Sequence, residues 1–246
     1  MKHHLIIAAL LLLSLDWFSN AGAAILQSWT FEDPDPFHGL TIEGEKPEVV
    51  IDPLSPTNHI MKAVLRRTSI RPERSEVRFG KPGFKEERWV GVRIMLPEKN
   101  IQPFQCLFQL GPLYGLDNSN AGGWYQILAK SGADFIWSIR GFTERFNSSG
   151  VHENTGSIEV EKWTSWVMHY RLSDDASGLV EIWKNGAKVL DRHGRNARRG
   201  DRIPLKWGIY IGIGNKLLQD STVYFDDIFY GNESSSLEEI TSHMSR

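Results

Sequence analysis

Residues 89–97 read WVGVRIMLP, and alternate side chains there, Val90, Val92, Ile94 and Leu96, are apolar. A period of two places those four on one face of an extended strand and their neighbours on the other. The same period returns at 163–173, where Trp166, Met168, Tyr170 and Leu172 share a side, and again in TVYFDDIFYG at 222–231. In GLVEIWKNGAKVLD, 178–191, two short runs flank Asn185-Gly186, the pair that a type I′ hairpin turn demands. Clusters such as FNSSG and SDDASG separate the runs and break the chain into short strands. No long segment carries a helical period, and the final SSSLEEITSHMSR suits a short helix or a frayed tail. Many strands with one apolar face each predict an all-β fold of two antiparallel sheets packed face to face. A β-jelly roll suits this length better than a seven-stranded immunoglobulin sandwich.

The first residues stand outside that pattern. Lys2 and two histidines precede an apolar run from Leu5 to Leu15, and AGAA follows at 21–24. This is the layout of a secretory signal peptide, 1–23, cleaved after Ala23, and it predicts a secreted or periplasmic protein. The run is short for a membrane span. The remainder, 24–246, is expected to be a single domain, since it shows neither internal repeat nor linker. Cys106 is the only cysteine, so no intramolecular disulfide is available, and a core position is expected for it. A net charge of −2 argues against a general nucleic-acid or membrane-surface binder. Asn147 and Asn232 open N-x-S triplets, which matter only in a eukaryotic secretory pathway.

Three strands carry unusual residues on the face away from the expected core. In RSEVRFG, alternation puts Arg74, Glu76 and Arg78 on one side and Ser75, Val77 and Phe79 on the other. In CLFQLG it puts Cys106, Phe108 and Leu110 inward and Leu107 and Gln109 outward. In LKWGIYIG it puts Trp207, Ile209 and Ile211 inward, leaving Lys206, Gly208, Tyr210 and Gly212 outward. Glycines on that outer face are expected to let a ligand approach the backbone. Each pattern alone is ordinary strand surface, and their joint occurrence on an exported all-β chain is what carries weight.

That combination resembles the jelly-roll polysaccharide lyases: alginate lyases, glucuronan lyases and the heparin lyase I type. Those enzymes share an R-(S/T)-E-(L/V)-R strand, a Q-(I/V)-H strand and a Y-x-K-x-G-x-Y-x-Q strand. The first stands intact at Arg74–Arg78, and the third keeps Lys206, Gly208 and Tyr210. The spelling KWGIY, together with WTFEDPD, WVGVRIMLP and GLVEIWKNG, is similar to the heparin-lyase and glucuronan-lyase branch, so the likeness runs from about Trp29 to Tyr230. It implies a concanavalin-like jelly roll and an acidic polysaccharide as substrate. The second motif departs: Gln109-Leu110-Gly111 ends in glycine where the family has a histidine. His38, in DPFHGL, is the first candidate to take its place, ahead of His169 on its strand and of His152 and His193 in loops.

The resemblance implies β-elimination at a uronic acid. A base removes the C5 proton, the carboxylate charge is offset, and the 4-oxygen leaves. Tyr210, Gln109 and Arg74 are then the catalytic residues: Tyr210 as base and acid, Arg74 and Gln109 on the carboxylate. Lys206, Arg78, Glu76 and His38 are expected at the substrate. Lys206 serves binding first and the Tyr210 pKa second, because four residues along a strand separate the two Cα atoms by about 13 Å. Glu76 orients the arginines.

The loop DRHGRNARRGDR, 191–202, precedes the Lys206 strand and is read either as a solvated charged loop or as a basic rim for an acidic glycan. No cofactor is demanded; Asp226-Asp227 or Asp174-Asp175 are the candidates for a structural calcium. A monomer is expected, without a nucleic-acid partner or membrane span. Two rivals stay open. One is a glycan-binding jelly roll that has lost the reaction. The other is a glycoside hydrolase, for which Glu159 and Glu161 in SIEVEKW are the only close acidic pair with strand alternation.

Overall fold

A computed structural model describes residues 24–68, 73–80, 83–98, 104–111, 124–130, 135–142, 151–197, 199, 203–212 and 217–244. Residues 1–23, where a signal peptide was expected, and Asn147, Arg198 and Arg202 lie outside the described residues. Among the described residues, no helix is long and apolar enough to cross a membrane.

The described chain forms two antiparallel sheets, a jelly-roll sandwich with one short helix. One sheet holds β1 (Ile25–Trp29), β3 (Glu48–Asp52), β4 (Ser55–Leu65), β6 (Glu87–Met95), β11 (Thr164–Arg171), β12 (Leu179–Lys184), β13 (Ala187–His193) and β15 (Ser221–Gly231). Its order is β13-β12-β11-β6-β15-β4-β3, with β1 paired on β15. The other holds β2 (Thr41–Gly44), β5 (Arg74–Phe79), β7 (Phe104–Leu110), β8 (Trp124–Lys130), β9 (Ile136–Phe142), β10 (Val151–Ser157) and β14 (Leu205–Tyr210), ordered β10-β9-β8-β7-β14-β5-β2.

The alternation read from the sequence becomes the core. Val90, Val92, Ile94 and Leu96 meet Trp166, Met168, Tyr170 and Leu172 on one inner face. Val77, Phe108, Trp207 and Ile209 come from the other, and all of these are buried. Trp29 and Trp207 pack with ring centroids 5.1 Å apart. The Asn185-Gly186 turn has φ of 49° and 79°, the two positive values of a type I′ turn. The C-terminal segment forms α1 (Leu237–His243), capped by the Ser236 side chain, which accepts from the Glu239 N–H. This helix buries Ile240 and Met244 on the outer face of the β1-bearing sheet, against Val167, Trp183 and Phe229. Gly91 makes the approach possible, since a Cβ there would stand 2.6 Å from both Ile240 Cγ2 and Met244 Sδ.

Two expected alternations slip by one residue. In β15, Val223 and Phe225 face the core, but Ile228 and Tyr230 continue that face. The extra residue is taken up at Asp226–Asp227, where pairing with β6 shifts register and Asp227 adopts φ 49°. In β7 the register shifts between Cys106 and Phe108. Leu107 and Phe108 therefore both enter the core, and Cys106 turns to the opposite face beside Tyr210 and Leu128. The sequence pattern had put Cys106 inward and Leu107 outward; the bulge exchanges them.

Gly208 has a different role from the expected ligand clearance. Its φ is 136°, and a Cβ there would run into the Ser75 carbonyl oxygen and, at 2.7 Å, the Glu76 Cα. The residue lets β14 and β5 approach each other, in a strand whose register against β7 shifts between Trp207 and Tyr210. Gly208→Ala should therefore lower the unfolding free energy by on the order of 3 kcal/mol in urea titration, strain and clash combined. An unchanged midpoint would refute that role.

Candidate functional site

The site lies on the outer face of the β14-bearing sheet, where β14 runs between β5 and β7. Antiparallel register sets Lys206 opposite Arg78 on one side and Gln109 on the other, and Tyr210 opposite Arg74 and Cys106. Directly opposed residues point to the same face, so three segments far apart in sequence deliver one patch. Lys206, Tyr210, Arg74, Arg78, Glu76 and Gln109 are thus brought together.

The centre of the patch is a residue the sequence reading missed. Glu43 lies on β2, next to β5, and accepts from Lys206 Nζ at 2.8 Å and from Arg74 Nη1 at 2.7 Å. Its other oxygen is 3.2 Å from Arg78 Nη1. Three cations close on one carboxylate. Burial raises the Glu43 pKa, but the hydrogen bonds and charges of Lys206 and Arg74 together outweigh it and hold the pKa below the ordinary glutamate value. The only signal in the sequence was the alternation Thr41-x-Glu43 in a four-residue edge strand.

Glu76 sits directly opposite Glu43 and is 1% exposed. Burial pushes its pKa up to about 7, against the pull of Lys206, Arg74 and the Gln109 hydrogen bond, while Glu43 adds repulsion. Gln109 Nε2 donates to Glu76 Oε1 at 2.7 Å, and Gln126 Nε2 reaches Gln109 Oε1 at 3.5 Å. Arg74 Nη1 stands 3.6 Å from the other Glu76 oxygen. The Arg74 guanidinium also lies over the Tyr210 ring, 4.6 Å from its centroid, a cation–π contact. Lys206 and Tyr210 leave 8% and 9% of their surface to solvent, so both form the floor of the patch.

The remaining candidates fall elsewhere. His38 hydrogen bonds Gln27 Nε2 at 3.1 Å and the Asp35 carbonyl at 3.2 Å, so these contacts tie it to β1 and its own turn. Gly111 follows β7 directly, with its N–H donating to the Pro204 carbonyl. His169 lies on the far face of the other sheet, stacked on Trp89 at 3.9 Å with Glu87 and Glu181 each 2.8 Å from a ring nitrogen. His152 and His193 lie on strands β10 and β13, where loops were expected. Within the arginine-rich loop, Arg199 pairs with Asp174 at 3.3 Å, and Arg192 on β13 approaches Glu153 of β10 at 3.9 Å. Glu159 and Glu161 do not share a strand face: both follow β10 in a turn, Glu161 has φ 55°, and Glu159 pairs with Lys162.

The aspartates proposed for calcium diverge. Asp227 pairs with Arg93 at 2.8 Å, while Asp226 accepts from Asn58 Nδ2 at 2.9 Å. Asp174 and Asp175 are both tied to Lys85, at 3.4 and 2.6 Å. Among the described residues no three His, Cys, Asp or Glu side chains gather as a metal site. In both pairs the carboxylates are engaged by neighbouring Arg, Asn or Lys side chains.

Comparison with known proteins gives the patch its context. A family model described as Polysaccharide lyase matches residues 30–229. None of the curated proteins matches the chain. Among solved structures, an endo-β-1,4-glucuronan lyase from the fungus Trichoderma reesei superposes with TM-score 0.62 at 16% identity, over 85% of this chain and 95% of that one. A marine PL-14 alginate lyase from Aplysia kurodai gives TM-score 0.59 at 10% identity, over 85% and 100%. Domain 4 of AbnA, a GH43 extracellular arabinanase from Geobacillus stearothermophilus, in complex with arabinotriose, gives 0.56 at 13% identity, over 89% and 97%.

The elevated Glu76 pKa fixes a pH signature. Below about pH 4.5 its carboxyl is protonated in folded and unfolded chains alike, and the stability tied to that proton is fully present. As pH rises to about 7 the unfolded chain releases the proton first, so this stability is lost. Glu76→Gln, which mimics the protonated form, should match the parent near pH 4.5 and exceed it at pH 8 by up to about 3 kcal/mol in urea titration. Equal destabilisation at both pH values would contradict this assignment.

Proposed function

From the premise that this chain belongs to the polysaccharide lyase family, we propose that it cleaves a uronic acid polymer by β-elimination at the patch around Lys206 and Tyr210. The observation that carries the reading is the convergence of Arg74, Arg78 and Lys206 on one carboxylate, Glu43. A surface that already gathers three cations about a carboxylate has the charge and hydrogen-bond donors to receive a second one from a sugar. A substrate uronate enters beside Glu43 and shares its cations.

Elimination follows from the groups at hand. Arg74 and Gln109 donate hydrogen bonds to the uronate carboxylate and draw charge from C5, which makes its proton removable. The Tyr210 oxygen, as phenolate, takes that proton; the electron pair forms the C4–C5 double bond, and the C4–O bond breaks. The departing 4-oxygen then receives the proton from Tyr210, which restores the phenolate. Arg74, stacked on the Tyr210 ring, holds a positive charge beside the reacting residue. Glu76 holds Gln109 by its amide, so the carboxamide is oriented before substrate arrives. The signal-peptide pattern supports export, which puts the enzyme where such polymers are met.

A second reading has one observation in its favour. Gly111 stands where the family carries a histidine, and a patch without that ring would bind a glycan and leave it intact.

Incubation with polyglucuronate, alginate and heparin-type chains should raise the ultraviolet absorbance of the unsaturated uronyl end. Tyr210→Phe should cut turnover by roughly 10²–10⁴-fold, the range of general acid–base catalysis, and keep binding. Binding without absorbance in the parent protein would establish the second reading, and full activity in Tyr210→Phe would remove Tyr210 from the proton path.

A further inference from the structure

The polar floor does not stop at Gln109. Its register continues across the sheet: Gln109 pairs with Gln126 on β8, Gln126 with Arg140 on β9, and Arg140 with His152 on β10. Directly opposed residues share a face, so the row that begins at Lys206 extends over three more strands with a polar side chain at every step. Contacts agree with this placement. Gln126 donates to Gln109, and the Arg140 guanidinium lies 5.9 Å from the centroid of Phe104, which packs with Cys106, Leu128 and Tyr210. Four strand intervals of about 4.8 Å separate Lys206 from His152, about 19 Å in all. Only a chain of several sugar rings covers that distance.

Access along the row changes with position. Gln109 and Gln126 are 4% and 2% exposed, whereas Arg140 is half-buried and His152 is exposed. Charge also returns at the far end. Partial loss of hydration beside the sheet, aided by the charges of Arg140 and Lys130, holds the His152 pKa below the usual histidine value, so its ring is a neutral hydrogen-bonding group at pH 7 and Arg140 carries the positive charge.

We infer that Arg140 and His152 form a distal carboxylate subsite, joined to the Lys206–Tyr210 centre by the Gln109–Gln126 amide pair, and that it grips a uronate several rings away from the bond cut. This rests on the polyuronate reading of the centre and adds to it a direction and a length: the polymer crosses the strands from β14 towards β10. A substrate too short to reach β9 gains nothing from the subsite.

The test measures affinity of Tyr210→Phe protein for a glucuronate disaccharide and hexasaccharide by calorimetry, then repeats it with Arg140→Met or His152→Ala added. The hexasaccharide should bind more tightly than the disaccharide. Arg140→Met should weaken the hexasaccharide by about tenfold, as for a lost charge-assisted hydrogen bond, and leave the disaccharide unchanged. His152→Ala, at an exposed ring, carries the same comparison if Arg140→Met does not fold. Equal affinity for both lengths, or equal losses on both, would overturn the subsite. The absorbance assay on the parent protein reports the lyase reading separately. Cleavage with length-independent binding sinks the subsite alone, length-dependent binding without cleavage sinks the reaction alone, and neither binding nor cleavage sinks both.

Discussion

Everything at this site depends on a single carboxylate held by three cations. Arg74, Arg78 and Lys206 carry like charge within one patch of sheet, and without Glu43 they would repel one another while leaving much of their water behind. Glu43 offsets that repulsion and fixes the directions of the three side chains. The same arrangement prepares the patch for an anionic ligand, because the donors are oriented before it arrives and need not reorganise. Glu76, opposite Glu43 and deeper, experiences the opposite balance: the cations attract it, yet burial prevails and its carboxyl favours its proton. Two glutamates one strand apart thus have their pKa values moved in opposite directions, the deeper one upward.

That electrostatic arrangement needs strands from distant parts of the chain in one register. β14 supplies Lys206 and Tyr210, β5 supplies Arg74, Glu76 and Arg78, β7 supplies Gln109, and β2 supplies Glu43. Trp207 and Ile209 on the inner side of β14, with Val77 on the inner side of β5, are wholly buried and lock the strands from below. A one-residue slip would carry every polar group of the patch into the core, so core packing and site geometry enforce the same register. Gly208 is where the two requirements meet, since only its missing side chain lets β5 and β14 lie as they do.

Much of this was legible in the sequence because period-two alternation is a local property. It placed Arg74, Glu76, Arg78, Gln109, Lys206 and Tyr210 on the outer face and Trp166 and Trp207 in the core, though not Trp29 or Trp137. What escaped was set by pairing between distant segments. Glu43 lies in a strand of four residues whose partner begins some thirty residues later, so nothing local marks it. The exchange of Cys106 and Leu107 follows from a register shift against β8, and the slip at Asp226–Asp227 from one against β6. Gln126, Arg140 and His152 look unrelated in the sequence, and only the strand order sets them in one row.

The central claim is that this patch breaks a glycosidic link by elimination and not by adding water. Mass spectrometry of polyglucuronate fragments tests it most directly. Elimination predicts fragments whose masses sum to that of the parent chain, each new non-reducing end lighter by one water than an ordinary sugar. Fragments that gain a water at every cut would contradict the account and show hydrolysis instead.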